Sequence, residues 1–558
     1  MHDTPRLHRG VVPCALVCLA LLWSACSNRS GSPPAPVPVI TTQPQVSAGS
    51  KTPAAPLVRT IAVETDVPTR VELTIDDGSG NPRTVVAASE YKTSHVDVPV
   101  VGMRANRRAE VKVTLRDQAG TAVDAPQSLF FSTPPLPADF PPIHATRPPE
   151  NGVGVEPGWT LFAAWNLAGP ATRTFVVLLD EDGEVVWFFD SEKEELTKGY
   201  TILVQPMANG NMLILAGNLF LMELTFTGEI VGKWFAASLH PHLRPEGVID
   251  IDTDTVHHEI LDLPDAEEAA FLFLSSEERV LPNYPASEGD PGQTVPESRV
   301  IGDTIVEAKR DGTIVKWVSL FDVLDPYRVV YDSLRDGWNT LYPGPQTEDW
   351  THGNSVIIDP RDNTYIVSLR HQDAVVKFDR EPPHQIRWIL GDPGRWKQPW
   401  SDYLLAPMNG LQWPFHQHAP QVMSNGNLLL FDNGNHRAIP PAPGLPSEQL
   451  FSRAVEYRID EQAMTVEQVW AYGGPTDPLH FFYSSFLGDA NELPTTGNVL
   501  VCDGAKRIAP GSPVYARVVE VTRGPNPVEL FEVFVRDDDP ISPKNWAVYR
   551  AFRIQSVY

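Results

Sequence analysis

At 558 residues, 42% hydrophobic and 20% charged, the chain is long enough for two or more domains and is globular in composition. Its formal net charge of -26 excludes a broad nucleic-acid or anionic-membrane surface, since both need clustered Lys and Arg. The 54 prolines and 38 glycines are spread evenly, which suits many short strands joined by turns and argues against a disordered tract.

Residues 1–25 read as a signal peptide, with Arg6 and Arg9 ahead of an apolar run from Val11 to Trp23 and small residues before Cys26. The Ala25-Cys26 junction resembles a bacterial lipoprotein processing site, in which Cys26 becomes the lipidated first residue. Trp23 stands where an aliphatic residue is usual, so cleavage without lipidation stays open. The apolar run is shorter than the roughly 20 residues that a membrane span needs. Cleavage would remove Cys14 and Cys18, leaving Cys26 and Cys502, which counts against a cysteine nucleophile or a thiolate metal site. Cys502, within GNVLVCDG, reads as a small buried thiol.

Residues 26–56 are rich in Ser, Pro and Ala without periodicity and read as a linker. Residues 57–137 then alternate apolar and polar in short runs such as TRVELTIDD and RAEVKVTLRD, the pattern of a small N-terminal β-sandwich. Its one histidine, His95, falls on an exposed edge, and the domain reads as a packing or dimerisation module.

From about residue 150 to 558 one unit recurs: an apolar strand, a polar turn, and a strand ending in an aromatic. FVVLLDEDGEVVWFF, LMELTFTGEIVGKWF and IVEAKRDGTIVKWVSL are three copies, and three more begin at Val375, Val455 and Val518. Trp187, Trp234, Trp317, Trp388 and Trp470 share one slot, with Phe531 or Phe534 in the last copy, and are expected to form a packing layer between neighbouring sheets. A second strand pair with turns such as Asn-Gly-Asn lies between these hairpins. Four strands per copy and about six copies describe an all-β, six-bladed β-propeller. The insertions at residues 325–349 and 393–412 are expected to fold over one face as lids.

His258, His352 and His418 each fall six to eight residues before a mid-blade turn, the place where an innermost strand starts at the channel mouth; Asp489 holds that slot in the next copy. Three successive blades thus aim an imidazole at one point. The residues alone leave several uses open: a zinc-type triad, structural histidines, or nucleophilic chemistry on an anion. His416 and His418 would share a face if WPFHQHAP is already extended. Arg370, ending YIVSLR, and Asn354, two residues after His352, favour an oxyanion, because a guanidinium forks onto tetrahedral oxygens. No phosphate-cradling GxxxxGK[ST] loop is present, which counts against a nucleotide-borne donor.

DWTHGNS, SLRHQ, QHAP followed by LFDNGNHR, and EPGWTLFAAWN together resemble the bacterial arylsulfate sulfotransferase family over most of residues 57–558. The resemblance implies a six-bladed propeller with an N-terminal β domain, a periplasmic homodimer, and sulfuryl transfer from phenolic sulfate donors to phenol acceptors. The route it implies is ping-pong through a sulfohistidine, with no cofactor and no metal. It makes His418 the sulfated nucleophile, gives His352 and Arg370 the sulfuryl oxygens, and makes His352 a general acid as well. His258 joins the site less securely, because His257 could hold the role; His257, His416 and Asn354 are expected to bind substrate. The enterobacterial members carry a disulfide near the active site, whereas this sequence has no cysteine between Cys26 and Cys502. Two alternatives remain: a propeller that binds an anion or phenol without turnover, and a metal-dependent sulfate or phosphate ester hydrolase. The location expected is the periplasm or cell envelope, with the membrane reached only through a lipid on Cys26.

Overall fold

The computed structural model describes residues 37–557 apart from 79, 81, 147–153, 168–172, 194–200, 264–268, 476–482, 508–510 and 540–542. The expected signal peptide, Cys26 and the first part of the expected linker therefore lie outside the described residues. Among the described residues no helix is long and apolar enough to cross a membrane.

The rest of the expected linker is not featureless. Ile40–Val46 is a strand paired antiparallel to Arg59–Asp76, and Ala54, Ala55 and Val58 pack into the core of the first propeller blade. Arg59–Asp76 and Arg83–Val100 are long partners whose pairing shifts register around residues 65–71, and Arg108–Arg116 continues the sheet. Period-two alternation puts Ile61, Val63, Leu73, Val98, Val111 and Leu115 on the inner face of this N-terminal β domain. Its loops reach the propeller through Arg104, whose guanidinium donates to Asp180 and Asp182 at 2.7 and 2.6 Å.

Six sheets follow around one axis, each with a core of four antiparallel strands, to which four of the sheets add a fifth. The hairpins read from the repeat are the outer pair of each blade. Thr174–Leu179 and Val185–Asp190 are buried at every position, because each blade is covered on both faces by its neighbours. The ring is closed by the C-terminal strand, Trp546–Ile554, which pairs with Trp159–Asn166 and is the innermost strand of the first blade. Ile143–Thr146, ahead of the expected propeller boundary, adds an outer strand to the sixth blade.

Three of the repeated tryptophans act as struts. The indole N–H of Trp187 donates to Phe226 O at 2.8 Å and that of Trp234 to Arg310 O at 2.7 Å, each reaching the outer turn of the next blade. Trp388 does the same to Glu461 Oε1 at 3.1 Å. Trp317 departs from the expectation: it is 40% exposed and belongs to no inter-blade layer. Residues 325–349 fold over one mouth of the channel, as expected of a lid. Residues 393–412 do not reach that mouth; Ala406–Pro407 pairs along the outer edge of the fifth blade, and Trp400 and Arg395 donate to the carbonyls of Val323 and Val329, bracing the first insertion from outside.

Candidate active site

The innermost strands of blades three, four and five begin at His257–Asp262, Gly353–Ile358 and His418–Val422. Each carries a register shift in its first residues, at His257/Ile260, Gly353/Ser355 and His418/Gln421. A bulge re-aims the side chain that precedes or begins the strand. His258 and His352 hold left-handed backbone, with φ of 56° and 44°. Both rings thereby turn toward the axis, and they line a cavity of about 810 Å³ together with His418, Arg370 and His371. The ring centroids of His258 and His352 lie 5.0 Å apart, and those of His352 and His371 lie 4.4 Å apart. Phe486 and Leu487 give the same cavity an apolar side.

His418 is held in one tautomer. Asn433 donates its two amide hydrogens to the carbonyls of Ser484 and Leu487 at 2.8 and 2.7 Å, so its Oδ1 must face the ring. His418 Nδ1 donates to that oxygen at 2.6 Å, which leaves the Nε2 lone pair free. Burial and the positive charge of Arg370 hold this imidazole well below the ordinary histidine range, so it stays neutral.

Arg370 opens a short turn after Tyr365–Leu369. Its Nη1 donates to His371 Nε2 at 2.6 Å and its Nη2 to Ser485 O at 3.2 Å, while its buried Nε has no hydrogen-bond partner. Among the described residues no carboxylate pairs with it. His371 Nδ1 in turn donates to Asp349 O at 2.7 Å, and burial beside His352 and Arg370 keeps this ring neutral and fit to accept from the guanidinium. Asp332, Asp349 and Asp373 favour its charge from a distance without pairing with it, so a guanidinium placed in this way is a receptor for an anion.

Behind His352 stands Asp349, with Oδ2 2.5 Å from Nδ1 and Oδ1 accepting the Trp338 indole N–H at 3.0 Å. Behind His258 stands His257, the two Nδ1 atoms 2.8 Å apart. Burial and the neighbouring charges of His352, His257, His418 and Arg550 hold His258 well below its ordinary value.

His258, His352, Arg370 and His418 are thus brought together. His257, His416 and Asn354 are not on the cavity wall, contrary to the substrate-binding role expected for them. His257 is fully buried behind His258. Asn354 is turned away by the left-handed His352 and the following bulge, and its Nδ2 donates to Gln417 O at 2.7 Å. His416 precedes the strand with φ of 52°, so the same-face rule for residues i and i+2 does not apply; its ring lies between Asp373 and Asp332 at 2.7 and 3.1 Å. Asn433, His371 and Asp349 were not singled out from the residues, although all three lie within the quoted motifs. Where a disulfide was missed, side chains hold the loop before Trp413: Gln412 O accepts from Arg453 Nη2 at 2.9 Å and Tyr457 OH at 3.1 Å, and Phe415 N–H donates to Asp432 Oδ1 at 3.0 Å. Asp349, His352 and His371, or Asp332, His371 and His416, lie close enough to share an ion, but both nitrogens of His371 and of His416 already have partners.

A family model described as arylsulfotransferase (ASST) matches residues 161–550, and one described as arylsulfotransferase Ig-like domain matches residues 50–129. A curated relative from Escherichia coli O6:H1 strain CFT073, named arylsulfate sulfotransferase AssT, is 28% identical over 360 residues, which cover 55% of each chain. A protein of the same name from Lelliottia amnigena is 24% identical over 445 residues, 69% of this chain and 67% of that one. The chain spans about half the length of the first relative and two thirds of the second.

Proposed function

The chain belongs to the arylsulfotransferase family, and on that premise we propose that it transfers a sulfuryl group from an aryl sulfate ester to a phenolic acceptor, without a nucleotide donor. Arg370 carries the reading: a buried guanidinium that no carboxylate pairs with among the described residues shares a cavity wall with the unprotonated Nε2 of His418. The anionic sulfuryl oxygens give the guanidinium the direct partner it lacks among the described residues, with Arg370 and His352 as donors. His418 Nε2 attacks sulfur, the nitrogen–sulfur bond forms, and the bond from sulfur to the phenolic oxygen breaks as that oxygen takes a proton. A second phenol then attacks the sulfur of sulfo-His418, gives up its proton and leaves as the new ester. Phe486 and Leu487 offer a surface for the aromatic ring.

Incubating the protein with an aryl sulfate and no acceptor, then mapping adducts by mass spectrometry, tests this. The expected mass gain is one sulfuryl group on His418, with one phenol released per chain. An unmodified His418, or phenol release that needs an added metal, would sink the proposal. Export, a lipid anchor at Cys26 and a homodimer belong to the same proposal, supported by the amino-terminal motif and the family resemblance.

A further inference from the structure

We propose that Asp303 and His257 form a proton relay behind His258, which makes His258, in place of the His352 that the family resemblance offers for this role, the acid for the departing phenolate and the base for the incoming phenol. The inference rests on the transferase reading above. His257 is fully buried, with its Nδ1 2.8 Å from His258 Nδ1 and its Nε2 3.2 Å from Asp303 Oδ1, an off-line approach closer to an ion pair than to a hydrogen bond. Two Nδ1 atoms at that distance require that one of them carry the proton and the other accept it. The Trp338 ring packs on His257 with centroids 4.9 Å apart, so water is kept from His257.

Asp303 is buried yet ionised, because its contacts with His257, Thr351 and the Gly353 N–H outweigh the cost of burial. The groups facing His258 are His257, His352 and His418, with Arg550 also contributing positive charge. Those neighbours keep His258 itself from holding a full positive charge. A neutral His258 can still deliver a proton, provided another reaches its far nitrogen at the same time.

With a proton on both nitrogens of His257, its Nδ1–H donates to His258 Nδ1, and His258 carries its own proton on Nε2, toward the cavity. As the sulfur–oxygen bond breaks, the Nε2 proton of His258 passes to the phenolate oxygen and the Nδ1 proton of His257 passes to His258 Nδ1. The products are phenol, a neutral His258 protonated on Nδ1, and a neutral His257 whose Nε2–H faces Asp303. Two transfers carry a net single proton from the histidine pair to the phenolate, and both rings end neutral. In the second half-reaction the acceptor phenol gives its proton to His258 Nε2, and the Nδ1 proton returns to His257. Both end states keep the same 2.8 Å contact, so the relay needs no rearrangement of heavy atoms.

The test uses aryl sulfates of graded leaving-group strength, from phenyl sulfate to 4-nitrophenyl sulfate, with kcat/KM for the donor reporting the first half-reaction. An asparagine at 257 keeps an N–H donor toward His258 but cannot release the proton. H257N should lose about 100-fold on phenyl sulfate, the scale of general acid catalysis, and less than about tenfold on 4-nitrophenyl sulfate, whose phenolate leaves unaided. D303N, which retains an oxygen for the Gly353 N–H, should steepen the same dependence and decides the matter if H257N does not fold. Equal losses across the series, or none, would overturn the relay. Wild-type protein that releases phenol from no aryl sulfate would overturn the transferase reading instead.

Discussion

His418 and Asn433 show how a second residue chooses the reactive atom of the first. Rotating the Asn433 amide would set its oxygen against two carbonyls and its NH₂ against an imidazole N–H, so the observed arrangement with Oδ1 2.6 Å from His418 Nδ1 is strongly preferred. Replacing Asn433 with Ala should leave His418 free to place its proton on Nε2, and the rate of sulfo-His418 formation in a single turnover should fall at least about tenfold, the scale of losing an orienting partner. An unchanged rate would mean that the tautomer is set elsewhere. Because burial and Arg370 depress the His418 value, protonation of the nucleophile should not slow that rate as pH falls from 8 to about 6. The three histidines were legible in the sequence because each occupies one register of a repeat. Asn433 was not, since its role depends on the carbonyls of Ser484 and Leu487, which the fold alone brings beside it.

The insertion at residues 325–349 is an element whose position depends on a buried charge. Asp332, within it, accepts from His416 Nε2 at 3.1 Å and lies 3.4 Å from His436 Nε2, while His416 Nδ1 lies 2.7 Å from Asp373 on the fourth blade. Burial opposes a charge on His416 and Arg370 adds to that, but Asp373 and Asp332 outweigh both and raise its value. A raised folded value means that the stability from this ring is complete below the unfolded value near 6.5 and is lost as pH rises through the folded one. His416→Asn should therefore cost about 3–5 kcal/mol in urea unfolding at pH 6, the scale of breaking a buried ion pair, with the gap to wild type narrowing as pH rises. A gap independent of pH would show that His416 is uncharged in the fold. Sequence alternation placed His416 beside His418, and the left-handed backbone at His416 is what separates them.

At the scale of the whole molecule, the first blade is built from both ends of the propeller. The C-terminal strand buries Trp546, Val548, Tyr549 and Ala551 and carries Arg550 to the axis, where it pairs with Glu259 at 2.7 Å. Beyond the propeller, a net charge of -26 repels an anionic lipid surface, so the proposed attachment to a membrane rests on a covalent chain at Cys26. Cys26→Ala should move the exported protein from the membrane to the soluble fraction, where sedimentation should give the mass of a dimer. A wild-type protein that is already soluble, or a monomer, would remove the anchor or the dimer from the proposal.

Periodicity determined the all-β architecture, the six copies and the shared slot of His258, His352 and His418, because burial on both faces of every blade stamps the same apolar pattern on each copy. The exposed Trp317 marks the limit of that inference, since a slot in a repeat does not guarantee the neighbour that would cover it. What only the tertiary structure decided was the layer behind the histidines: Asn433 at His418, Asp349 at His352, His257 and Asp303 at His258, and the unpaired Nε of Arg370. Such partners lie up to 46 residues apart in the chain or turn on a single left-handed residue, so no spacing in the sequence announces them. The same chain closure that brings Trp546–Ile554 against Trp159–Asn166 sets the blades at one radius, and that radius is what turns three separate histidines into one site.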